Sequence, residues 1–446
     1  MIRKGQVLLI TFLWMIFACN AEKQTIPSVH HPQWSLNKTI YELNVRQFSN
    51  SGTFKAVERR LPALQDLGVG IIWLMPIQPI GEKNRKGTLG SPYAVKDYFK
   101  VNPDYGSMAD LKSLVNKAHR LGMYVILDWV ANHTAWDNPL LKAHSEWYTH
   151  DSRGKISSPV ADWTDVADLD YTHKDLWLYM IKAMKYWVQE ADVDGFRCDV
   201  AERVPLAFWN QVRDSLEMIK PVFMLAEGDA PELHDHAFDA TYSWNLYYLM
   251  NDIAGGEKKA SDITGLLNKE KKMYPPGAMR MRFTTNHDEN AWNGTALDRL
   301  DGGFKAFTVL TVTIPGKPMI YNGQEAGLNK SLAFFEKDPI EWRINNYRRF
   351  YRRILNLYQA NPALYEGEMK EIDTSDKAHI FAFVREKDDH RIVVILNLSP
   401  QRRSITVSSS LINGTFLEYF SGMKVHYGSG HMFDLEPWAY RLFIKE

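Results

Sequence analysis

Four short segments of this chain contain the side chains that could carry out chemistry, and each follows a run of apolar residues. Together they offer carboxylates, one arginine and two histidines at what the sequence predicts to be strand ends. Paired carboxyl groups of this kind can break a glycosidic bond through a covalent sugar–enzyme intermediate. The segments are Asp128-Trp129-Val130-Ala131-Asn132-His133, Gly195-Phe196-Arg197-Cys198-Asp199, Ala226-Glu227-Gly228 and Asn286-His287-Asp288.

The three candidate catalytic carboxyls suit different roles. Asp199 lies two residues from Arg197 and is the candidate nucleophile, because a nearby guanidinium favours the ionised carboxylate. Glu227 follows the apolar run 222–226 and is the candidate acid for the leaving oxygen. Asp288 would hydrogen-bond sugar hydroxyls and favour the distorted, oxocarbenium-like ring. Any one of these residues alone would more often be structural, so the hypothesis depends on the segments occurring together.

Alternating strands and helices are predicted to position these segments. Continuous apolar runs such as 70–75 are typical of parallel strands covered on both faces. Eight strands alternating with helices predict an α/β protein, a (β/α)8 TIM barrel, whose active site gathers at the C-terminal strand ends. The predicted strands are 39–45, 70–75, 123–127, 193–197, 222–226, 238–242, 281–285 and 317–321, and the predicted helices are 54–67, 108–121, 172–190, 205–219, 303–312 and 341–359.

Two regions depart from this alternation. Residues 134–171, after the third strand, form a short inserted domain rich in Trp, Asp, Ser and His. From residue 362 the helical pattern gives way to short β-like runs, which predict a C-terminal antiparallel β-sandwich domain over 362–446. The catalytic barrel would then occupy residues 37–361.

The N-terminus is typical of an exported protein. Arg3 and Lys4 precede an apolar run that is shorter than the ~20 residues of a membrane-spanning helix. Ile16-Phe17-Ala18-Cys19 resembles a bacterial lipobox. We expect a lipoprotein signal peptide over 1–18, a lipid on Cys19, a polar tether over 19–36, and anchoring to the bacterial cell envelope on its periplasmic or surface face. A plain signal peptide and a short anchor are the alternatives.

The composition excludes one class of partner and favours another. Fifty-three basic and 53 acidic residues leave no net charge, and no basic stripe is present to bind nucleic acid. An aromatic content of 13% suits an uncharged carbohydrate, whose apolar faces pack on rings. Trp129, Trp136, Trp163 and Trp292 lie close in sequence to the candidate catalytic segments, and each could be a sugar platform or a packing residue.

The four segments resemble, in the same order, the signature regions of the α-amylase family (glycoside hydrolase family 13). The resemblance begins near Thr39 and covers nearly all of the remaining chain. Flanking segments agree with it: residues 90–106 resemble the family's second β/α loop, 166–170 an additional region near the end of the insert, and 314–325 the eighth strand. Combined with the N-terminus, this identifies the chain as similar to a bacterial lipoprotein-type α-amylase.

The resemblance implies a role for each site residue. Asp199 would be the nucleophile, Glu227 the general acid/base and Asp288 the transition-state stabiliser. The implied reaction is hydrolysis of α-1,4-glucosidic bonds in starch-like glucans or maltooligosaccharides by double displacement, with retained configuration and no required cofactor. The implied substrate-binding or supporting residues are Tyr93, which would stack on the sugar, and Asp128, His133, Arg197 and His287.

A structural calcium ion is left open by the sequence. Asn132 matches the family's calcium-ligating asparagine, and Asp162 could assist it. Calcium-binding members usually have a histidine four residues after the nucleophile, where this chain has Arg203. Asn132 could instead hydrogen-bond within the insert.

Two other functions are compatible with the same fold. An α-glucan transglycosylase of the glucanotransferase or branching type would use the same carboxylates, with a sugar hydroxyl in place of water. A non-catalytic glucan-binding protein is disfavoured because the three carboxylates are all present. The sequence leaves open endo or exo action, product length, activity on pullulan or cyclodextrins, and the oligomeric state.

Overall fold

The computed structural model describes residues 31–343 and 345–445, so the predicted signal peptide and Cys19 lie outside the described residues. Eight parallel strands close into a barrel in the order β1-β10-β9-β8-β7-β6-β3-β2, which confirms the predicted (β/α)8 architecture. The strands are buried on both faces, as their apolar runs require. They are β1 Ile40–Leu43, β2 Ile71–Leu74, β3 Tyr124–Trp129, β6 Gly195–Cys198, β7 Phe223–Ala226, β8 Ala240–Tyr242, β9 Met279–Arg282 and β10 Lys317–Tyr321.

Helices surround the barrel, and their ends follow local sequence signals. The first helix begins after Thr53, whose side chain accepts a hydrogen bond from the Ala56 amide, and ends before Gly68 in a left-handed conformation. A reciprocal cap between Ser107 and Asp110 starts the second. The helices are α1 Phe54–Leu67, α2 Met108–Arg120, α3 Leu140–Ala143, α4 Lys174–Ala191, α5 Leu206–Glu217, α6 Trp244–Ala254, α7 Asp262–Met273, α8 His287–Trp292, α9 Ala296–Leu300, α10 Phe304–Thr313, α11 Asn346–Ala360 and α12 Pro362–Tyr365.

The end of the barrel opposite the site is covered by residues 31–36. The Trp34 ring stacks on Tyr124 at the start of β3, with 3.9 Å between ring centroids. The buried Lys317 ammonium, at the start of β10, donates to the carbonyls of Ser35 and Leu36. This part of the predicted tether is therefore packed against the barrel, because its aromatic ring and carbonyls find partners there.

The inserted region after β3 is built around a short antiparallel ribbon. Strands β4 His133–Ala135 and β5 Val166–Asp168 pair so that His133 lies opposite Asp168. A small apolar cluster of Ala135 and Val166 with Ile80 and Ala94 packs this ribbon against the β2–α2 loop, residues 75–107. The insert is thereby fixed beside the barrel mouth.

The C-terminal region forms two antiparallel layers. Strand β12 alternates between them: Phe381 and Phe383 pack on the barrel, whereas Ile380, Ala382 and Val384 face the layer of β14 and β17. This alternation is the period-2 pattern of a strand buried on both faces. The order in the larger sheet is β11-β12-β13-β18-β15-β16, and the strands are β11 Glu368–Glu371, β12 Ile380–Lys387, β13 His390–Asn397, β14 Arg403–Val407, β15 Gly414–Glu418, β16 Lys424–Tyr427, β17 His431–Leu435 and β18 Tyr440–Lys445.

The seventh barrel strand, β9, differs from its prediction of 281–285. It spans Met279–Arg282, where buried Arg280 and Arg282 both lie beside Glu270 of α7. The alternation of methionine and arginine in β9 lacks the apolar run that is typical of a barrel strand. The predicted strand therefore begins two residues, and ends three residues, too late in the sequence. In the described parts of the chain, no helix combines the length and apolarity needed to cross a membrane.

Candidate active site

A cleft of about 510 Å³ opens at the C-terminal mouth of the barrel, where the sequence places the active site. It brings together the three candidate catalytic carboxyls, Asp199, Glu227 and Asp288. The other lining residues come from the β2–α2 loop, the insert, the turn after β6, α8 and the loop after β10: Lys86, Ser91, Tyr93, His133, Asp162, Trp163, Asp165, Val166, Val200, His287, Trp292, Phe334 and Phe335.

Arg197, on β6, is the centre of the site and is fully buried. Its Nη1 lies 2.9 Å from Asp128 Oδ1 and 3.0 Å from Asp199 Oδ1. Its Nη2 lies 2.8 Å from Glu227 Oε1. A buried guanidinium is stable only with such partners. One cation therefore positions both Asp199 and Glu227.

The charge of Asp199 depends on more than this arginine. Burial, and then the negative charge of Glu227, raise the pKa of Asp199 well above its usual range, against the opposing effect of Arg197. Arg197 acts in the predicted direction, but it is shared among three carboxylates, and burial together with Glu227 outweighs it.

Glu227, directly after β7, is held by the backbone next to Asp199. The amide of Val200 donates to Glu227 Oε2 at 2.7 Å. Val200 has φ 37° and ψ 48°, a left-handed conformation that is rare for a β-branched residue. Such backbone strain is concentrated at functional sites. The strained turn points this amide at Glu227.

His287 and Asp288 form the first turn of α8 and do not end β9 directly. The side chain of Asn286 caps this helix by accepting a hydrogen bond from the Glu289 amide. His287 Nε2 lies 3.3 Å from Asp288 Oδ2. Asp288 faces the cleft with 41% of its side chain exposed, so it is accessible to a ligand.

The two histidines of the site carry different charges. Burial alone would lower the pKa of His287, but the carboxylates of Asp288 and Glu42 outweigh it and raise the pKa to about 9. Burial lowers the pKa of His133 to about 3, and Arg203 acts in the same direction. At neutral pH, His287 is therefore an imidazolium and His133 is neutral.

Asp128 and Tyr93 support the site from beneath. Asp128 Oδ2 accepts hydrogen bonds from the Trp73 indole and the Tyr93 hydroxyl, each at 3.0 Å. The Tyr93 ring stacks on His287 with 5.2 Å between centroids. Because Asp128 is fully buried and bonded on both oxygens, it acts through Arg197 and Tyr93 rather than on a ligand.

Comparisons with known proteins agree with this geometry. The sequence matches the family model described as alpha amylase, catalytic domain, over residues 35–164 and 143–392. The chain belongs to the α-amylase family. Residues 369–442 also match the maltogenic amylase C-terminal domain. The protein is accordingly a glycoside hydrolase.

Similar proteins span almost the whole chain. Alpha-amylase 2 of Dictyoglomus thermophilum is 26% identical over 440 residues, covering 89% of this chain and 75% of that protein. A cyclomaltodextrinase from a Bacillus species is 27% identical, covering 86% of this chain and 76% of its own length. The crystal structure of maltogenic α-amylase AmyB from Thermotoga neapolitana superposes with a TM-score of 0.85 at 32% identity, covering 92% of this chain and 99% of that one.

The tryptophans near the α-amylase motifs divide between the two predicted roles. Trp129 is fully buried and packs on Tyr98 and Phe196, so it belongs to the core. Trp136 is partly buried, and its indole donates to the Thr164 carbonyl. Trp163 and Trp292 line the cleft, where their rings can meet a sugar. Cys198 is a buried free thiol.

Asn132 and Asp162, the two candidate calcium ligands, have other partners in the structure. The Asn132 amide lies 3.3 Å from His133 Nδ1 and 3.4 Å from Asp168 Oδ1, so it bonds within the insert. The Asp162 carbonyl accepts instead from the Lys86 ammonium. Within residues 31–343 and 345–445, no cluster of three or more His, Cys, Asp or Glu side chains could hold a metal.

Several site residues were not identified from the sequence. Glu42 on β1 is fully buried beside His287, and a carboxylate inside an apolar strand was a signal that could have identified it. Phe334, Phe335 and Lys86 line the cleft from long loops whose course has no local sequence signature.

Proposed function

We propose that this protein hydrolyses α-1,4-glucosidic bonds of starch-like glucans or maltooligosaccharides with retained configuration. The observation that carries the proposal is the single Arg197 guanidinium between Asp199 and Glu227. Two carboxyls held by one guanidinium favour the short separation of retaining enzymes over the wider separation of inverting ones. The names of the relatives, α-amylase and cyclomaltodextrinase among them, support an α-glucan as the substrate.

In the proposed first step, a carboxylate oxygen of Asp199 attacks the anomeric carbon. Glu227 donates its proton to the leaving glycosidic oxygen, so that the bond between the anomeric carbon and that oxygen breaks. In the second step, Glu227 removes a proton from water, and the resulting oxygen displaces Asp199 from the sugar. Both residues return to their starting protonation states, and two inversions give net retention.

The remaining cleft residues would orient the sugar for these steps. Asp288 would accept hydrogen bonds from hydroxyls and stabilise positive charge on the distorted ring. His133 lines the cleft and would contact a sugar oxygen through its ring. Tyr93 would stack on the apolar face of the ring.

Product analysis tests this proposal. Purified protein would be incubated with soluble starch, maltoheptaose, β-cyclodextrin and pullulan, with anomeric NMR at early times and Asp199→Asn as the inactive control. Shorter sugars that appear first as α-anomers are expected. β-Anomers would contradict retention, and longer oligosaccharides without new reducing ends would establish transglycosylation. Unchanged substrates would contradict catalysis on α-glucans.

We also infer that the chain is exported and anchored to the bacterial envelope through a lipid on Cys19. The support is the charged start, the short apolar run and the lipobox-like Ile16-Phe17-Ala18-Cys19. In bacteria fed radioactive palmitate, the full-length chain should be labelled and found in the membrane fraction, whereas Cys19→Ser should be unlabelled. Release of unlabelled native protein into the soluble fraction would instead support a plain signal peptide.

We further propose that the chain divides into a catalytic region over 37–361, with its insert at 134–171, and a C-terminal domain over 362–446. Helix α11 ends at Ala360 and strand β11 begins at Glu368, which supports a boundary between them. Limited proteolysis of the intact protein would test it, with first cuts expected near residues 361–367 or within the insert.

A further inference from the structure

One side of the cleft is formed by three aromatic residues, Trp292, Phe334 and Phe335, which we call the aromatic wall. The Phe334 ring lies 5.4 Å from Trp292 and 5.1 Å from Phe335, measured between centroids. It also stacks on Tyr93 at 6.2 Å. The wall therefore continues directly from the ring proposed to bind the cleaved sugar.

Hydrogen bonds fix the wall from two directions. The Leu89 amide donates to the Phe335 carbonyl at 3.1 Å, and the Thr88 amide donates to the Glu336 carboxylate at 2.8 Å. On the other side, the Leu332 amide donates to the Asn290 side chain at 2.9 Å. The β2–α2 loop and helix α8 thus hold the segment that bears Phe334 and Phe335.

Lys86 connects this wall to the insert. Its Nζ lies 2.5 Å from the Asp162 carbonyl oxygen and 3.4 Å from Asp165 Oδ1. The same ammonium lies 5.9 Å from the centre of the Phe335 ring. One side chain therefore joins loops that follow β2, β3 and β10, and it closes the gap between the insert and the wall.

The order of the strands gives the wall a direction relative to the reaction. Phe334, Phe335 and Lys86 lie on the loops after β10 and β2, the two neighbours of β1, whereas Trp292 lies on α8 after β9. Strand β7, which Glu227 follows directly, lies four strands from β1 around the eight-stranded barrel. Because Glu227 is proposed to protonate the leaving oxygen, the leaving part of the glucan extends toward the β7 side. The wall then stands on the glycone side, where the non-reducing end of the substrate lies.

The connection after β8, across the mouth from β2, is much shorter than the β2–α2 loop. Strand β8 ends at Tyr242 and α6 begins at Trp244, whereas the loop after β2 runs from residue 75 to 107. A long chain can leave the cleft over the low β8 side more easily than past the wall. A cleft open at both ends would not have this difference in loop length between its two sides.

We propose that the aromatic wall, locked by Lys86, closes the glycone side of the cleft, so that the enzyme acts from non-reducing chain ends and releases short maltooligosaccharides. This inference rests on the proposed hydrolysis of α-glucans. It assigns product length to Lys86, Phe334 and Phe335, which stand beyond the sugar that is cleaved.

A maltoheptaoside with a chromogenic reducing end, with and without a blocking group on its non-reducing end, tests the inference. The blocked substrate should be cleaved at least about tenfold more slowly, a difference of ~1.4 kcal/mol in transition-state binding. Equal rates would overturn the closed glycone side and leave hydrolysis standing. Failure to cleave either substrate, or starch, would instead refute the proposed hydrolysis and this inference with it.

Substitutions in the aromatic wall and at Lys86 provide a second test of the closed glycone side. Phe335→Ala combined with Lys86→Met should narrow the difference between blocked and unblocked substrates and lengthen the products. Lys83→Ala is the matched control, since this lysine of the same loop lies over Trp136 outside the cleft lining. It should leave unchanged both the difference in rate between blocked and unblocked substrates and the length of the products. Lys86→Met alone keeps the aliphatic stem and removes the ion pair, so it serves if the double variant does not fold. If a folded variant cleaves blocked and unblocked substrates in the same ratio as the native protein, the assignment of product length to Lys86 and Phe335 is wrong.

Discussion

Glu42 Oε1 lies 2.5 Å from His287 Nδ1, and both side chains are buried at the mouth of the barrel. His287 Nε2 lies 2.7 Å from the Tyr93 hydroxyl, which donates to Asp128 Oδ2. Asp128 in turn accepts from Arg197. With His287 protonated, the donors in this chain point one way, from the imidazolium through Tyr93 to Asp128. A residue on β1 is thereby linked to Arg197 on β6, which positions Asp199 and Glu227.

We predict that Glu42→Gln moves the alkaline limb of the kcat/KM profile to lower pH by about one unit, because a nearby carboxylate shifts a pKa by that order. Glu42 and Asp288 raise the pKa of His287 to about 9, so the imidazolium persists below that pH and loses its proton as the pH rises through it. Without the Glu42 charge, the proton is lost at lower pH, and with it the donation to Tyr93. The full pH dependence of kcat/KM measures the shift.

Glu325→Gln is the matched control for that variant. Glu325 is a second buried carboxylate near β1, and it accepts from the Tyr41 hydroxyl at 2.6 Å rather than from His287. Its substitution should lower stability without moving the alkaline limb. If both variants shift the limb equally, or neither does, the inference that Glu42 holds the proton on His287 is wrong.

The acid limb should lie above the pH at which an ordinary aspartate titrates. Burial and Glu227 raise the pKa of Asp199 well above its usual range. The nucleophile works only when ionised, so activity should fall as the pH falls through this raised pKa, well before the usual value of about 3.9. Initial rates at low substrate, with melting temperatures at each pH to separate unfolding from titration, give the limb. Full activity persisting below about pH 4 would contradict it.

Glu227→Gln should separate substrates by their leaving groups. Proton donation by a positioned acid contributes about 10²- to 10⁴-fold, and only poor leaving groups need it. We expect a loss of that size on maltoheptaose and a much smaller loss in the glycosylation step with an activated aryl maltoside. Because the amide can still accept from the Val200 amide, the fold should be unaffected. Comparable losses on both substrates would exclude Glu227 as the acid.

The barrel could be predicted because the sequence signals that define its strands and helices are local. Helix α1 has its predicted bounds, and seven of the eight barrel strands have both ends within two residues of the predicted ends, since apolar runs and caps act over a few residues. The same runs placed Asp199 and Glu227 next to each other in space, because neighbouring parallel strands end at the same edge.

The features that were missed depend on contacts distant in sequence. Nothing near Glu42 indicates that His287, 245 residues later, will be its partner. Arg197 was expected to serve Asp199, but the barrel brings Asp128 and Glu227 to the same guanidinium. The position of Phe334 likewise depends on the β2–α2 loop. Tertiary contacts, rather than local propensity, decide these parts of the site.

A chelator should change the melting temperature by less than about 1 °C, because only a ligand that binds the folded state stabilises it. The physical reason is the local charge: Lys86 lies on the Asp162 carbonyl and Asp165, and Arg203 packs over Trp163 in the same region. Arg203→Ala should therefore lower the melting temperature more than excess EDTA does. A fall of many degrees with EDTA, reversed by added calcium, would show that a calcium site exists.

Because the backbone at Val200 is strained, we expect glycine at this position to give a more stable protein than alanine, the reverse of the usual order. Glycine ordinarily destabilises relative to alanine, but a left-handed conformation costs a residue with a Cβ about 1–2 kcal/mol. Since Val200 has φ 37°, Val200→Gly should be more stable than Val200→Ala by about 1 kcal/mol in urea unfolding. At Val204, where φ is −109°, the ordinary order with alanine more stable should hold, which makes this pair the control. If alanine is the more stable substitution at both positions, then Val200 is not strained. Its amide would then reach Glu227 without any cost to the fold.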